Sequence, residues 1–445
     1  MLSGCGGQRQ GAAYNLCPFP SGTPVDLRAS SSLHPSPPAE VLGSLSFVNG
    51  YASLPEAFHT RLSPEPLPAP YLVGYSAPAA KLIGLGPQAA SDPDFVQVFS
   101  GNRVPPGADP LATVYSGHQF GVYVPRLGDG RAHLLGEVSG AGGANWELQL
   151  KGSGRTPYSR SGDGRAVLRS SIREFLGSEA MAGLGIPTTR ALAVIGADAP
   201  VIREAVETAA VVTRMAPSFV RFGSFEYFAH HGRTEELHQL ANFVIARHFP
   251  AAAEQPVPAL ALLAEVVART ARLVAQWQGV GFMHGVLNTD NMSILGLTLD
   301  YGPFQFMDGF DAHHICNHSD SHGRYSYANQ PDIGLWNLYA LGQALLPLAS
   351  SVEATQAVLD TYRGHFATAL EEVFHGKLGL RTVLESDEAL IDGLLSRLHA
   401  GRVDWTIFWR SLAGLRLDAA RPEDDAAVRD LFPDRAAFDA WASDY

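Results

Sequence analysis

Two apolar periods follow one another between residues 145 and 185. Trp146, Leu148 and Leu150 alternate with Glu147, Gln149 and Lys151, the period of two expected of a half-buried strand. Next, Leu168, Ile172, Phe175, Leu176, Met181 and Leu184 recur at helical spacing before Gly185, which predicts an amphipathic helix with a glycine stop. Three further strand candidates, TRALAVI, VIRE and AAVVTRM, carry the pattern to Met215. From Arg233 onward the period is helical, in TEELHQLANFVIARHF, LALLAEVVARTARLVAQWQGVG and IGLWNLYALGQALLPLA, with more helices towards the C-terminus.

This order predicts an α+β fold: a β-rich N-lobe containing one helix, then a mainly α C-lobe, the layout of a protein-kinase-like two-lobed fold. The N-lobe is expected over residues 126–232 and the C-lobe over 233–445. Residues 42–125, where aromatics and aliphatics are separated by prolines, read as a wrapping N-terminal extension. Residues 1–41 are rich in Gly, Ser, Pro and Ala and read as a disordered or presequence-like tail. No repeat of fixed period is visible.

Composition narrows the function. The chain has 445 residues and a formal net charge of −12, against a general nucleic-acid or anionic-membrane surface, which needs a basic field. No apolar run approaches the roughly 20 residues of a membrane-spanning helix. Three cysteines, Cys5, Cys17 and Cys316, indicate no disulfide framework and suit a reducing compartment. A cytoplasmic monomer is expected, or a mitochondrial protein if the tail is a presequence.

The candidate chemistry centres on residues 282–302, FMHGVLNTDNMSILGLTLDYG. Asp290 and Asn291 lie in a loop between apolar runs, and Asp300 follows at the end of a short predicted strand. Such oxygen ligands suit a hard divalent cation carrying nucleotide phosphates. The spacing is close to that of a kinase catalytic loop and the D-F-G that follows it, except that the kinase base position falls on Val286. Either the site is dead or Asp290 has taken over as base.

Lys151, on the polar face of the predicted strand, and Glu174, mid-helix, have the order of the kinase Lys–Glu pair that steadies a lysine against phosphates. The bland alternative is an exposed lysine and a helix-surface glutamate. GDGR occurs at 128–131 and again at 162–165, and with Arg155, Arg160, Arg214 and Arg221 it supplies an arginine-rich lobe suited to phosphate. That supply would suit an additional buried pyrophosphate. His313, His314, Cys316, His318, Asp320 and His322 follow no standard zinc spacing, and an activation-loop-like polar segment is the plainer reading.

Taken together, YSGHQFG, LGDGRAHLLGE, ELQLKGSGRTPYSRSGDGRAVLRSSIREFLGSEAM, VRFGSFEYF, MHGVLNTDNMSI, LDYGPFQFMD and ICNHSDSHGRYSY make the chain resemble the selenoprotein O (YdiU) family over about residues 42–350. The resemblance implies a protein-kinase-like fold that binds ATP in an inverted orientation and transfers AMP to protein Ser, Thr or Tyr hydroxyls. It implies that Asp290 is the proton acceptor, that Asn291 and Asp300 bind Mg²⁺ (or Mn²⁺), and that Glu174 pairs with Lys151. It further implies ATP contacts by Gly128, Gly130, Arg131, Lys151, Asp163, Gly164, Arg214, Arg221 and Asp300. Two rivals stand beside this: Mn²⁺-dependent transfer of UMP, and a catalytically silent nucleotide-binding pseudokinase scaffold. No cysteine follows Cys316 in this sequence, whereas some members of the family carry a redox-active Cys or selenocysteine near the terminus. The sequence reads as stopping at Tyr445, short of a further helical stretch.

Overall fold

A computed structural model describes residues 42–43, 45–415 and 426–445, all within one compact unit, Pro38–Tyr445. The tail expected at 1–41, with Cys5 and Cys17, lies outside the described residues. The structure is mixed α and β, and its main sheet is antiparallel.

The strands are β1 (His59–Arg61), β2 (Tyr71–Tyr75), β3 (Leu111–Thr113), β4 (Gly117–Gln119), β5 (Val122–Val124), β6 (Ala132–Ser139), β7 (Asn145–Lys151), β8 (Ala166–Val167), β9 (Arg190–Ile202), β10 (Val206–Ala216), β11 (Phe282–Met283) and β12 (Gln305–Phe306). The main sheet runs β1-β3-β6-β7-β10-β9-β2, with β8 on β10, while β4 pairs with β5 and β11 with β12. Residues 42–125, read from sequence as a wrapping extension, thus supply three strands of the main sheet. TRALAVI and VIRE do not form separate strands: they run into one long β9, paired with β10.

The helices are α1 (Ala77–Leu82), α2 (Pro93–Phe99), α3 (Leu168–Gly183), α4 (Phe222–His230), α5 (Thr234–His248), α6 (Pro258–Gly279) and α7 (Gln330–Leu345). Six shorter or later ones follow: α8 (Val352–Leu359), α9 (Tyr362–Leu378), α10 (Asp387–Gly401), α11 (Trp405–Leu412), α12 (Ala426–Arg429) and α13 (Arg435–Asp444). In α5, Glu235 and Glu236 in the first turn and Arg247 in the last complement the helix dipole. Pro258 at the first position of α6 has the φ the helix needs and no N–H to leave unpaired. Leu262, Val266, Val274 and Trp277 of α6 are buried among the helices, whereas Leu148, Leu150, Leu192 and Ile195 of the sheet pack with Phe95 and Phe99 of α2.

Two sequence expectations differ from the structure in ways that matter for the site. β7 is not half-buried: Glu147 and Gln149 are as enclosed as Leu148 and Leu150, Glu147 accepting from Phe219 N and Gln149 from Arg214. Helix α3 follows its apolar pattern only in part: Met181 is buried, and Leu168 and Phe175 pack half-buried against the sheet. Ile172, Leu176 and Leu184 are exposed, while Ser171, Glu174, Gly177 and Ser178 face inward. Gly177 is small where the rings of Phe304 and Tyr301 approach, so the inner face is chosen by close packing and charge rather than by hydrophobicity.

Candidate active site

The register of β7 and β10 assembles the first half of the site. Gln149 is opposite Arg214, and Lys151 is opposite Val212, so alternate polar residues of β7 share a face with Arg214. There Arg214 Nη2 donates to Gln149 Oε1. Helix α3 brings in Glu174, whose Oε2 lies 2.6 Å from Lys151 Nζ and whose Oε1 lies 3.4 Å from Arg214 Nη1. Neither is the exposed residue of the bland alternative: the side chains of Lys151 and Glu174 are 12% and 5% exposed.

The second half comes from the loop after β11. Thr289–Asn291 form a short 3-10 turn, held from below by α7: Gln330 accepts from His284 N and donates to Phe282 O, and Asn337 donates to Leu287 O. The segment before α4 pairs alongside, with Phe222 N donating to Met292 O and Ile294 N to Val220 O. This places Arg221, whose Nη1 donates to the Asp290 main-chain carbonyl at 2.7 Å and to Asp300 Oδ2 at 2.6 Å. Asp300, expected at a strand end, sits in irregular chain after the Thr298 bridge. Its Oδ1 receives Lys151 Nζ at 3.1 Å and Arg214 Nη1 at 2.5 Å.

Three cations therefore face two carboxylates, Glu174 and Asp300, in one buried cluster. The surplus positive charge favours an anionic guest. Lys151, Arg214 and Arg221 hold the Asp300 carboxyl well below the usual carboxylate range, against the effect of its burial. Asp290 is opposite in character. Burial outweighs Arg221 and pushes its carboxyl up to about 6. Gln119 Nε2 donates to Asp290 Oδ2 at 3.1 Å, while Oδ1 is buried with no hydrogen-bond partner.

The glycine turns form the rim. Gly128 has φ +72°, and a Cβ there would strike the Tyr158 ring; at Gly130 it would meet the Tyr158 carbonyl at 2.8 Å. Asp129 between them accepts from Thr113 N and Oγ1 at 3.0 and 2.6 Å, fixing the turn. Asp163 also lies on the rim, its carboxylate committed to Arg203 at 2.8 and 2.9 Å and to Arg165 N, and the Arg203 pair lowers its pKa to about 2. Gly164, at φ +72°, passes so close to the Gly154–Arg155 backbone that no side chain fits.

The residues expected to carry catalysis and to hold nucleotide or metal, Gly128, Gly130, Arg131, Lys151, Asp163, Gly164, Glu174, Arg214, Arg221, Asp290, Asn291 and Asp300, line one cavity of about 760 Å³, whereas none of residues 313–322 does. Arg131, Arg155 and Arg160 line it too, exposed, and among the described residues no carboxylate pairs with them. Sequence reasoning missed Gln119 and Gln149. Gln119 stood within the quoted YSGHQFG segment, and Gln149 on the polar face of β7, but neither residue type signals a site without its partner.

The donor set fits a hard divalent cation in kind. Asn291 Nδ2 donates to Val286 O at 2.8 Å, which leaves its amide oxygen as the free acceptor, and Asp300 is ionised. Asp300 Oδ1 is shared by Lys151 and Arg214, whereas Oδ2 receives Arg221 alone and keeps a lone pair for a cation. The His313–His322 segment holds no comparable set: among the described residues no group of three His, Cys, Asp or Glu could hold a metal ion. Asp320 there accepts from Arg324 N and Tyr325 N and shapes the loop.

A family model described as "Protein adenylyltransferase SelO" matches residues 41–445. Among curated relatives, a "Protein nucleotidyltransferase YdiU" of Dechloromonas aromatica is 58% identical over 403 residues, covering 90% of this chain and 81% of the relative. One of the same description from Cupriavidus metallidurans is 56% identical over 436 residues, covering 93% and 80%. A third, from Ralstonia nicotianae, is 58% identical over 415 residues, covering 89% and 79%. These relatives are bacterial, and among the described residues no helix is long and apolar enough to cross a membrane.

Proposed function

The chain belongs to the SelO protein adenylyltransferase family and is a nucleotidyltransferase, and on that premise we propose that it transfers AMP from ATP to Ser, Thr or Tyr hydroxyls of proteins. The observation that carries this reading is the pairing of opposites: a strongly cationic cluster around ionised Asp300, beside a buried Asp290 with one free oxygen. We read the fold as kinase-like, with the N-lobe at 126–232, the C-lobe at 233–445 and residues 42–125 wrapping the first.

In this reading the acceptor oxygen attacks the α-phosphorus, the bond from that phosphorus to the bridging oxygen breaks, and pyrophosphate leaves. The hydroxyl proton passes to Asp290, whose raised pKa suits a base working near neutral pH. Lys151, Arg214 and Arg221 neutralise charge on the phosphates, and Glu174 keeps Lys151 aimed. Asn291 and Asp300 would hold Mg²⁺, which supplies further neutralisation of the phosphate oxygens. A phosphate-binding set with three cations and open arginines on its rim suits retention of a whole pyrophosphate, which supports transfer from the α position.

The test is incubation of the protein with acceptor proteins and ATP labelled at either the α- or the γ-phosphate, with UTP as competitor and Mg²⁺ or Mn²⁺ supplied. The reading expects covalent α-label, none from γ, and loss in Asp290→Ala. Label from γ alone would revive a kinase. Preferential UMP transfer with Mn²⁺, or stabilisation by ATP with no transfer, would each replace the reading with the corresponding rival.

A further inference from the structure

We propose that Gln119 is a positioning residue for Asp290, holding one carboxylate oxygen so that the other is presented to the acceptor hydroxyl. The inference rests on the adenylyl-transfer reading and assigns a part to an element that reading does not use, the β4–β5 hairpin.

That hairpin is seated on the catalytic loop by its backbone. His118 N donates to Thr289 Oγ1 at 2.7 Å, one residue before Asp290. Phe120 N donates to Tyr325 OH at 2.9 Å and to Asn288 Oδ1 at 3.2 Å, and Tyr325 OH itself donates to Asn288. At Gly117 a Cβ would stand 3.0 Å from Asp290 Cβ, Asp290 N and Thr289 Oγ1, so glycine is what permits this approach. The turn has Phe120 at φ +52° and Gly121 at φ +80°, the geometry of a tight two-residue hairpin. Phenylalanine is an uncommon occupant of such a position, held here by its N–H bonds and by ring contact with Tyr325 at 5.1 Å.

Gln119 alone reaches the reacting group from this hairpin. Its amide N–H₂ can only donate to a carboxylate, so it selects an ionised oxygen and takes Oδ2. Oδ1 stays buried and unpartnered, which makes the two oxygens inequivalent before any substrate arrives. The other charged groups facing Asp290 are Arg221, which binds its main-chain carbonyl, and Asp300. Neither hydrogen-bonds to the Asp290 carboxylate; among the described residues Gln119 supplies the side-chain donor that does.

The experiment compares full-length wild type with Gln119→Leu, Asp290→Asn and the double variant by steady-state transfer of α-label at pH 8, together with ¹³C NMR of carboxyl-labelled aspartate at the same pH, the Asp290 signal being assigned by its loss in Asp290→Asn. The expected result is kcat lower by about tenfold to a hundredfold in Gln119→Leu, as for a reacting group slightly misplaced, with KM for ATP within about twofold. Gln119→Leu should add no further loss to Asp290→Asn, because the two residues act as one unit, and the Asp290 carboxyl signal should shift. Should Gln119→Leu fail to fold, Gln119→Asn, one methylene short, gives the same directions. An unchanged kcat overturns the proposal, as does a further loss on the Asp290→Asn background or weakened ATP binding with an unmoved Asp290 signal, which marks a merely structural role. If wild type transfers no label yet the Asp290 signal still shifts in Gln119→Leu, the positioning contact stands and the adenylyl-transfer reading falls.

Discussion

Arg221 and Asp300 are joined through a single guanidinium nitrogen, which lies 2.6 Å from the carboxylate and 2.7 Å from the Asp290 main-chain carbonyl. A change at Asp300 is therefore felt at Asp290. It is also felt at Lys151 and Arg214, which share the other oxygen. Asp300→Asn keeps the shape but leaves three buried cations facing Glu174 alone. Breaking such a network costs about 3–5 kcal/mol, read as a lower urea midpoint. Added pyrophosphate should restore more stability to the variant than to wild type, since it supplies the missing charge. The pH sign follows from the depressed folded-state pKa. The contribution is complete above the ordinary carboxylate pKa near 4, and it is lost as pH falls from there towards the lower folded value. Asp300→Asn should remove that acid dependence.

Asp290 carries the opposite sign. Burial raises its pKa from 3.8 to about 6, so ionising it costs the folded state about 2–3 kcal/mol, a penalty that grows between pH 4 and 6 and is constant above. Only the ionised form accepts a proton, so kcat/KM should fall tenfold per pH unit below about 6. Asp290→Asn should lose about 10²–10⁴-fold in rate while retaining ATP binding. It should also be more stable than wild type at pH 8 and equal to it below pH 4. Thermal melts at the two pH values, beside the rate profile, check both halves; a variant less stable at pH 8 would contradict the burial account.

Much of this cluster was legible because its logic is local. Period two put Lys151 on the polar face of β7, and the Asp290–Asn291 pair with Asp300 announced oxygen ligands. The helix carrying Glu174 was found by apolar periodicity, which placed Met181, Leu168 and Phe175 inward but not Glu174. Ile172 and Leu176 are exposed, while Glu174 is buried because Lys151 and Arg214 compensate its charge. A hydrophobic pattern cannot register a polar face made tolerable by partners far along the chain. The same limit hid Gln149 and Gln119, whose roles come from Arg214 and Asp290 respectively. The strands contributed by 42–125 were obscured by their brevity, since β1 and β3 are three residues each.

The Glu174 carboxylate is expected to act on ATP only through Lys151 and Arg214. Glu174→Gln leaves an amide where two cations had a shared anion, so Lys151 is drawn further onto Asp300 and away from phosphate. We expect ATP affinity to fall about tenfold by titration calorimetry. Combined with Lys151→Ala the losses should be strongly less than additive, because residues in one network couple by about 0.5–3 kcal/mol. Full additivity in the double-mutant cycle would mean that Glu174 works by another route.

Two glycines give a matched contrast between rim and helix. Gly164 has φ +72° and its missing Cβ would occupy the Gly154–Arg155 backbone, while Gly154 N donates to Gly164 O at 3.1 Å, locking two rim segments together. Gly164→Ala must therefore shift main chain, not a side chain, and it adds the strain of a left-handed alanine, about 1–2 kcal/mol before the clash. Gly183, at the end of α3, has nothing within 4 Å of the same position. Gly183→Ala should stabilise by about 0.5–1 kcal/mol and leave ATP binding unchanged. Gly164→Ala should lower the melting temperature and raise KM for ATP several-fold with a smaller change in kcat, because the displaced loop carries rim contacts rather than Asp290. Equal effects on KM and kcat would show that the rim and the catalytic loop move as one body, and would place Gly164 in the path that positions Asp290.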